Sequence, residues 1–473
     1  MDIQTFISEY IEKRRETFIQ LSDKIWETPE IYFEEYRSSE YLCHALEGEG
    51  FQVERNVAGL QTGFMASFGS GNPVVAILGE FDALPGLSQK KGCTQNDPIS
   101  AGGHGHGCGH NLLGTGAFAA AVAIKEYMKQ TGLKGTVRYY GCPAEENGSG
   151  KAYMTRAGLF DDVDFALSWH PETKPVIMNF SSLANYAVRF VFNGKSAHAA
   201  AAPHLGRSAL DAVELMNIGV NYLREHMIPE ARVHYAVTDT GGNSPNVVQA
   251  HAEVAYLIRA PKKKQVIELY NRVHDIAEGA ALMTGTKVEV VFEGAASDLI
   301  PNTTLAETMY KNLSAIGVPA YDEFDQKYAK EIRDSLSPED RDAALIGFDK
   351  STAEKLKEKH IADVIPPFSK KEIMLSGSTD VGDVSWVVPT MQCMTACWAL
   401  GTPFHTWQVV SQGAMPIGHK GMLQAGKVMA CTAIDVMENP DILEQAKAEH
   451  KERLDGETYF SLIPEQQEAP RKS

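Results

Sequence analysis

Cys108 and His110 stand two residues apart in AGGHGHGCGHNLLG (101–114), a run that alternates His104, His106, Cys108 and His110 with glycine. A thiolate and an imidazole suit zinc and other borderline divalent metals. The glycines let the backbone turn tightly enough to aim both side chains at one point. Such a run needs a reason, because glycine inside an element costs about 0.5–1 kcal/mol relative to alanine. On this stretch alone a structural metal clip, a tight turn and a catalytic metal site all stay open. His104 and His106 read as partners that orient the ligands or as surface histidines, and neither reads as a ligand.

Further along, GCPAEENGSG sets Glu145 beside Glu146. Two adjacent buried carboxylates repel unless a cation or a shared proton compensates. In a loop they can point in different directions, so that one binds metal while the other moves protons. His170 in SWHP completes a set of four and reads as a ligand. Near the C-terminus GTPFHTWQVVSQGAMPIGHKGM offers His405 and His419. His405 is preferred as a ligand because it lies in an irregular Gly/Pro/aromatic segment, where function concentrates.

These residues need elements to bring them together. PVVAILG (73–79), TVRYYG (136–141) and FALSW (165–169) are short apolar runs with a long small-residue helix between the first two. Strands alternating with helices predict α/β architecture: a mostly parallel central sheet with helices on both faces. In such sheets function gathers beyond the carboxyl ends of strands. Glu80 and Asp82, the glutamate pair and His170 all follow such runs.

From about residue 183 the texture becomes β-α-β-β-α-β through residue 296, the pattern of a ferredoxin-like α+β unit. It reads as an insertion (183–296) between a first catalytic segment (1–182) and a second (297–473). Residues 320–367 are dense in charge and read as a solvated helical excursion. The polar tail after about 455 is expected to be loose.

The bulk numbers exclude several classes. With 473 residues the chain is too long for one ordinary core, and its 44% hydrophobic and 22% charged content is that of globular proteins. A net charge of −17 argues against nucleic-acid partners and anionic membranes. The N-terminal stretch reads as an amphipathic helix without a signal-peptide pattern. The helix after Asn111 carries Lys125 and Glu126 and reads as buried, not membrane-spanning. Seven scattered cysteines fit free thiols in a reducing cytoplasm, with Cys393 and Cys397 as buried packing.

The ordered set GEFDALPG, HGCGHN, PAEE, SWHP, GKSAHAAAAPHLGRSALDA, NVV…EVAYLIRA and PFHTW resembles the M20 metallopeptidase and amidohydrolase family. It is nearest the branch of N-acyl-amino-acid and indole-acetyl-amino-acid hydrolases, and the likeness spans essentially the whole chain. It implies two divalent metal ions per subunit, Mn²⁺ or Zn²⁺, held by Cys108, His110, Glu146, His170 and His405. Glu145 takes the general-base position. Glu80 stands where many members carry a ligand histidine, so its role stays open, as do those of His104, His106 and His419. The inserted unit would serve as a dimerisation and lid domain. His198 matches a histidine lent across the dimer interface, and Asn246 and Arg259 match residues that hold a substrate carboxylate. The implied protein is a cytoplasmic metal-dependent hydrolase of N-acyl or N-aroyl amino acids. It would act as a homodimer or as a heteromer with a related subunit. Three rivals stand beside it: another dipeptidase or aminoacylase specificity, a cysteine hydrolase built on Cys108, and a metal-binding relative without turnover.

Overall fold

The computed structural model describes residues 2–346 and 348–470. Its strands are β1 (Gln52–Arg55), β2 (Phe64–Ser70), β3 (Val74–Glu80), β4 (Gly135–Cys142), β5 (Phe165–Glu172), β6 (Phe180–Ser182), β7 (Ala184–Asn193), β8 (Arg232–Asp239), β9 (His251–Ala260), β10 (Lys287–Ala296), β11 (Ile373–Leu375) and β12 (Thr390–Ala396).

The central sheet runs β1-β2-β4-β3-β5-β12. Strands β4, β3, β5 and β12 are mutually parallel, and β1 and β2 add an antiparallel edge. Every residue of β3 is buried, as befits a strand covered on both faces. Val75 and Ile77 face one core, with the helices Ile3–Lys13, Arg15–Trp26, His110–Thr131 and Pro416–Glu438. Val74, Ala76 and Leu78 face the other, against Ala152, Met154, Val381 and Val384. The apolar runs therefore form strands as expected, and their parallel carboxyl ends lie along one edge.

The helix His110–Thr131 is buried over 18 of its 22 residues, which explains its small-residue composition. Gly114 lets it lie on β3, since a Cβ there would stand 2.6 Å from the Glu80 carbonyl oxygen. Among the described residues no helix is long and apolar enough to cross a membrane. All seven cysteines are free, with Cys393 and Cys397 buried.

The second sheet has the order β10-β7-β9-β8, all antiparallel, the 4-1-3-2 arrangement of a ferredoxin-like unit. Burial alternates strictly along β7 and β9, one face packing on the helices Ala209–Leu223 and Lys263–Thr284. Only one residue of the edge strand β8 is buried.

Two expectations need correction. Residues 320–367 are helical at Glu323–Asp334, Pro338–Ala343 and Lys350–Leu356, but they are not merely solvated. Tyr328, Ala329 and Ile332 form one helix face packed on Ala396, Ala399 and Ile417, and Asp325 is buried against Lys420, so most of the charges, though not all, mark the outer faces. The tail is docked rather than loose as far as residue 470. Arg156 donates to the carbonyls of Pro464 and Gln467 at 3.0 and 2.8 Å, and Leu462 and Ile463 are buried.

Candidate metal centre and active site

At the carboxyl edge of the central sheet the backbone takes conformations that side chains other than glycine rarely adopt. Gly109, between Cys108 and His110, has φ 77°, and a Cβ there would strike Trp398 at 2.3 Å. Ala144, just before the glutamate pair, and His405 itself both have φ 58°. Non-glycine residues in this region cluster at functional sites, where surrounding structure holds the strain. The glycines of the Cys-Gly-His run thus serve close approach as well as turning.

The result is two triplets of ligand atoms, each within 4.8 Å of one another: Cys108, His110 and His170, and Cys108, Glu146 and His405. They share the Cys108 sulfur. A third group joins Glu80, His110 and Glu145. His170 Nδ1 donates to the Pro171 carbonyl at 2.7 Å, which leaves Nε2 facing Cys108 Sγ at 3.4 Å. His110 Nδ1 donates to Asp82 Oδ1 at 2.7 Å, so its Nε2 is likewise the free ligand atom. Asp82 Oδ2 accepts the Glu146 backbone N–H at 3.0 Å, and one carboxylate therefore orients two members of the cluster. His405 Nε2 lies 3.3 Å from Glu146 Oε2.

Divalent metal fits these residues. Glu80 Oε2, His110 Nε2 and Glu146 Oε1 are buried without a hydrogen-bond partner among the described residues. Buried polar atoms without partners are costly; Glu80 Oε2 and His110 Nε2 face each other at 3.3 Å, and cations at the two triplets would engage His110 and Glu146. Burial and the Glu146 carboxylate push the Cys108 thiol well above its ordinary value. Without a cation this sulfur is a poor nucleophile, which counts against a cysteine hydrolase. Burial, then Glu80, Asp380 and Glu146, raise Glu145 well above the usual carboxylate range, favouring the proton-carrying form that a base must visit.

Lys151 and Asp380 belong to this centre and were not singled out from sequence. The fully buried Lys151 ammonium lies 2.7 Å from Glu80 Oε1 and 2.6 Å from Asp380 Oδ1. Burial opposes ionisation of Glu80, but Lys151 and the nearby imidazoles outweigh it and hold its pKa below the ordinary value. Asp380 closes the loop Ser376–Asp380, in which Ser378 Oγ accepts from Arg259 Nη1 at 2.7 Å. A Gly-Ser-Thr-Asp turn opening a short helix was the available signal. Arg259 thus stands beside the cavity wall, half-buried and without an ion pair to a described residue.

His198 and Asn246 lie elsewhere. Both are on the inserted unit, away from its core, joined by a bridge in which Ala199 N–H donates to the Asn246 carbonyl at 3.0 Å. His198 lies five residues beyond the end of β7. Its Nδ1 accepts from the N–H groups of Ala200 and Ala201, both at 3.2 Å, leaving the proton on Nε2. Neither residue lines the cavity of this chain.

His419 and His106 are held by structural contacts. His419 is buried against Asp23 Oδ1 at 2.7 Å. His106 donates through Nε2 to the Ile25 carbonyl at 3.2 Å, and burial followed by His110 lowers its pKa to about 4, so the ring is neutral. Over the cluster opens a cavity of about 680 Å³, whose lining includes Cys108, Glu145, Glu146, His170 and His405.

Residues 76–371 match Peptidase family M20/M25/M40, and the chain belongs to that family. It is a hydrolase of amide bonds. It is 50% identical over 470 residues to the B subunit of p-aminobenzoyl-glutamate hydrolase of Escherichia coli strain K12, covering 98% of each chain. The Xaa-Arg dipeptidase of Mus musculus is 30% identical over 468 residues, covering 95% of this chain and 92% of its own. Among solved structures, the Bacillus subtilis YXEP protein, described as a dinuclear metal-binding peptidase from the M20 family, superposes with a TM-score of 0.55. It is 17% identical, with coverage of 90% of this chain and 99% of its own.

Proposed function

We propose that this chain hydrolyses the amide bond of N-acyl and N-aroyl amino acids with a free α-carboxylate, p-aminobenzoyl-glutamate foremost. The observation that carries the reading is the pair of ligand triplets sharing Cys108 at the floor of the cavity. Cys108, His110 and His170 would hold one divalent ion, Mn²⁺ or Zn²⁺, and Cys108, Glu146 and His405 the other. Such a pair supplies a water acidic enough to ionise near neutral pH and a Lewis acid for the carbonyl oxygen.

The chain's own residues do the rest. Glu145 accepts the proton of the attacking water and returns it to the leaving amine. The Nε2–H of His198, held in that tautomer by two backbone N–H groups, donates to the oxyanion as it develops. Arg259 and Ser378 take the α-carboxylate by charge-assisted hydrogen bonds, with Asn246 beside His198 as a further polar contact. Since His198 and Asn246 lie away from the cavity of their own chain, they serve the site of a neighbour. Residues 183–296 act as the dimerisation and lid domain between the catalytic segments 1–182 and 297–473. The free edge of β8, with Tyr235 and Val237 exposed, supports pairing with a second copy or a related subunit. The setting is cytoplasmic, in keeping with seven free thiols.

Metal removal tests this reading. Dialysis against a chelator should abolish hydrolysis of p-aminobenzoyl-glutamate and lower the melting temperature, because ligand-linked stability is lost. Mn²⁺ or Zn²⁺ should restore both. Undiminished activity in protein shown by mass spectrometry to be metal-free would contradict it.

A further inference from the structure

The floor of the cavity carries Glu145 and Glu146, and its lining also includes Glu172, Lys174 and Lys371. Lys174 and Lys371 are the only ammonium or guanidinium groups among the described residues lining it. Many lysines of this chain pair with a carboxylate, among them Lys90, Lys91, Lys125 and Lys151. The charges flanking Lys371 follow that pattern: Lys370 pairs with Glu307, and Glu372 with Arg453 at 3.0 Å. Lys371 and Lys174 make no ion pair with a described residue. The acid nearest Lys174 in the chain is turned to a neighbour, since Glu172 Oε2 accepts from the Thr173 N–H and hydroxyl at 2.6 and 2.9 Å. Lys174 Nζ lies instead 4.9 Å from the centroid of the Phe348 ring, which also lines the cavity. An aromatic face steadies an ammonium without neutralising it. Phe348 and the exposed Ile346, both from the charge-dense segment, also line the cavity.

We propose that Lys174 and Lys371 bind a second anionic group of the substrate, the acidic side chain of the leaving amino acid. This rests on the amide-hydrolase reading above, in which Arg259 already takes the α-carboxylate. It selects glutamyl amides over neutral ones and disfavours a cationic side chain, which would meet two like charges.

The test compares p-aminobenzoyl-glutamate, p-aminobenzoyl-glutamine and p-aminobenzoyl-lysine on the metal-loaded full chain. Glutamate and glutamine differ in charge at nearly constant shape. Without the charge-assisted hydrogen bonds to these lysines, kcat/KM for the glutamine compound should be lower by about 10-fold or more, chiefly through KM. The lysine compound should be poorer still. Lys174→Met with Lys371→Met should collapse the glutamate-to-glutamine ratio to within about twofold of one, with melting temperature as the check on folding. Lys174→Glu with Lys371→Glu should place the lysine compound ahead of the glutamate one. A wild-type ratio near one, or a ratio unchanged in the double Met variant, would overturn the proposal and leave the amide-hydrolase reading intact. Failure of the metal-loaded enzyme to cleave any of the three would instead overturn that reading, and the proposal with it.

Discussion

Glu145→Gln should keep a full metal complement and lose about 10²–10⁴-fold in turnover, the range expected when a positioned acid–base group is removed. The amide preserves the shape of the side chain but cannot carry the water's proton to the leaving amine. Glu146→Gln should behave differently. Its carboxylate lies 3.3 Å from His405 Nε2, and its Oε1 is buried without a partner among the described residues, so its loss should empty one metal position as well as slow the reaction. Metal content by mass spectrometry and kcat on the same preparations separate the two. If both variants retain all their metal, Glu146 is not a ligand. If Glu145→Gln loses metal in step with activity, the division of labour within the pair is wrong.

The second large effect is restoration of activity. His198→Ala and Glu145→Ala should each be nearly inactive as homodimers. Co-refolded in equal amounts, they should pair at random, so that about half the dimers are mixed. Each mixed dimer has one site bearing both lesions and one bearing neither, and activity should return to about a quarter of wild type. The expectation follows from the placement of His198 on the inserted unit, outside the lining of its own chain's cavity. Native mass spectrometry that confirms mixed dimers without any recovery would show that His198 acts within its own chain or not at all.

The legible part of this protein was written in short-range pattern. Val74–Glu80, Gly135–Cys142 and Phe165–Glu172 are buried over nearly their full length because both faces are covered, and the short apolar runs inside them are what sequence reading detects. Strict alternation in Ala184–Asn193 and His251–Ala260 likewise announced a sheet with one buried face. The ligand cluster was readable because its donors are chemically uncommon and follow strands. The buried Lys151 was not readable, since a lysine in GSGKAYM looks like any surface lysine until Glu80 and Asp380 fold onto it. Asp380 lies 229 residues away, and nothing local marks that pairing. The segment 320–367 misled for a related reason. Most of its charges face solvent, while the inward face that matters is only one residue in three or four.

The central claim is a pair of metal positions that share the Cys108 sulfur, and anomalous diffraction from crystals of the metal-loaded protein tests it most directly. The account predicts two peaks about 3.5–4 Å apart, one against His110 and His170 and the other against Glu146 and His405, both touching Cys108. A single peak, or two peaks with Cys108 bound to neither, would contradict it.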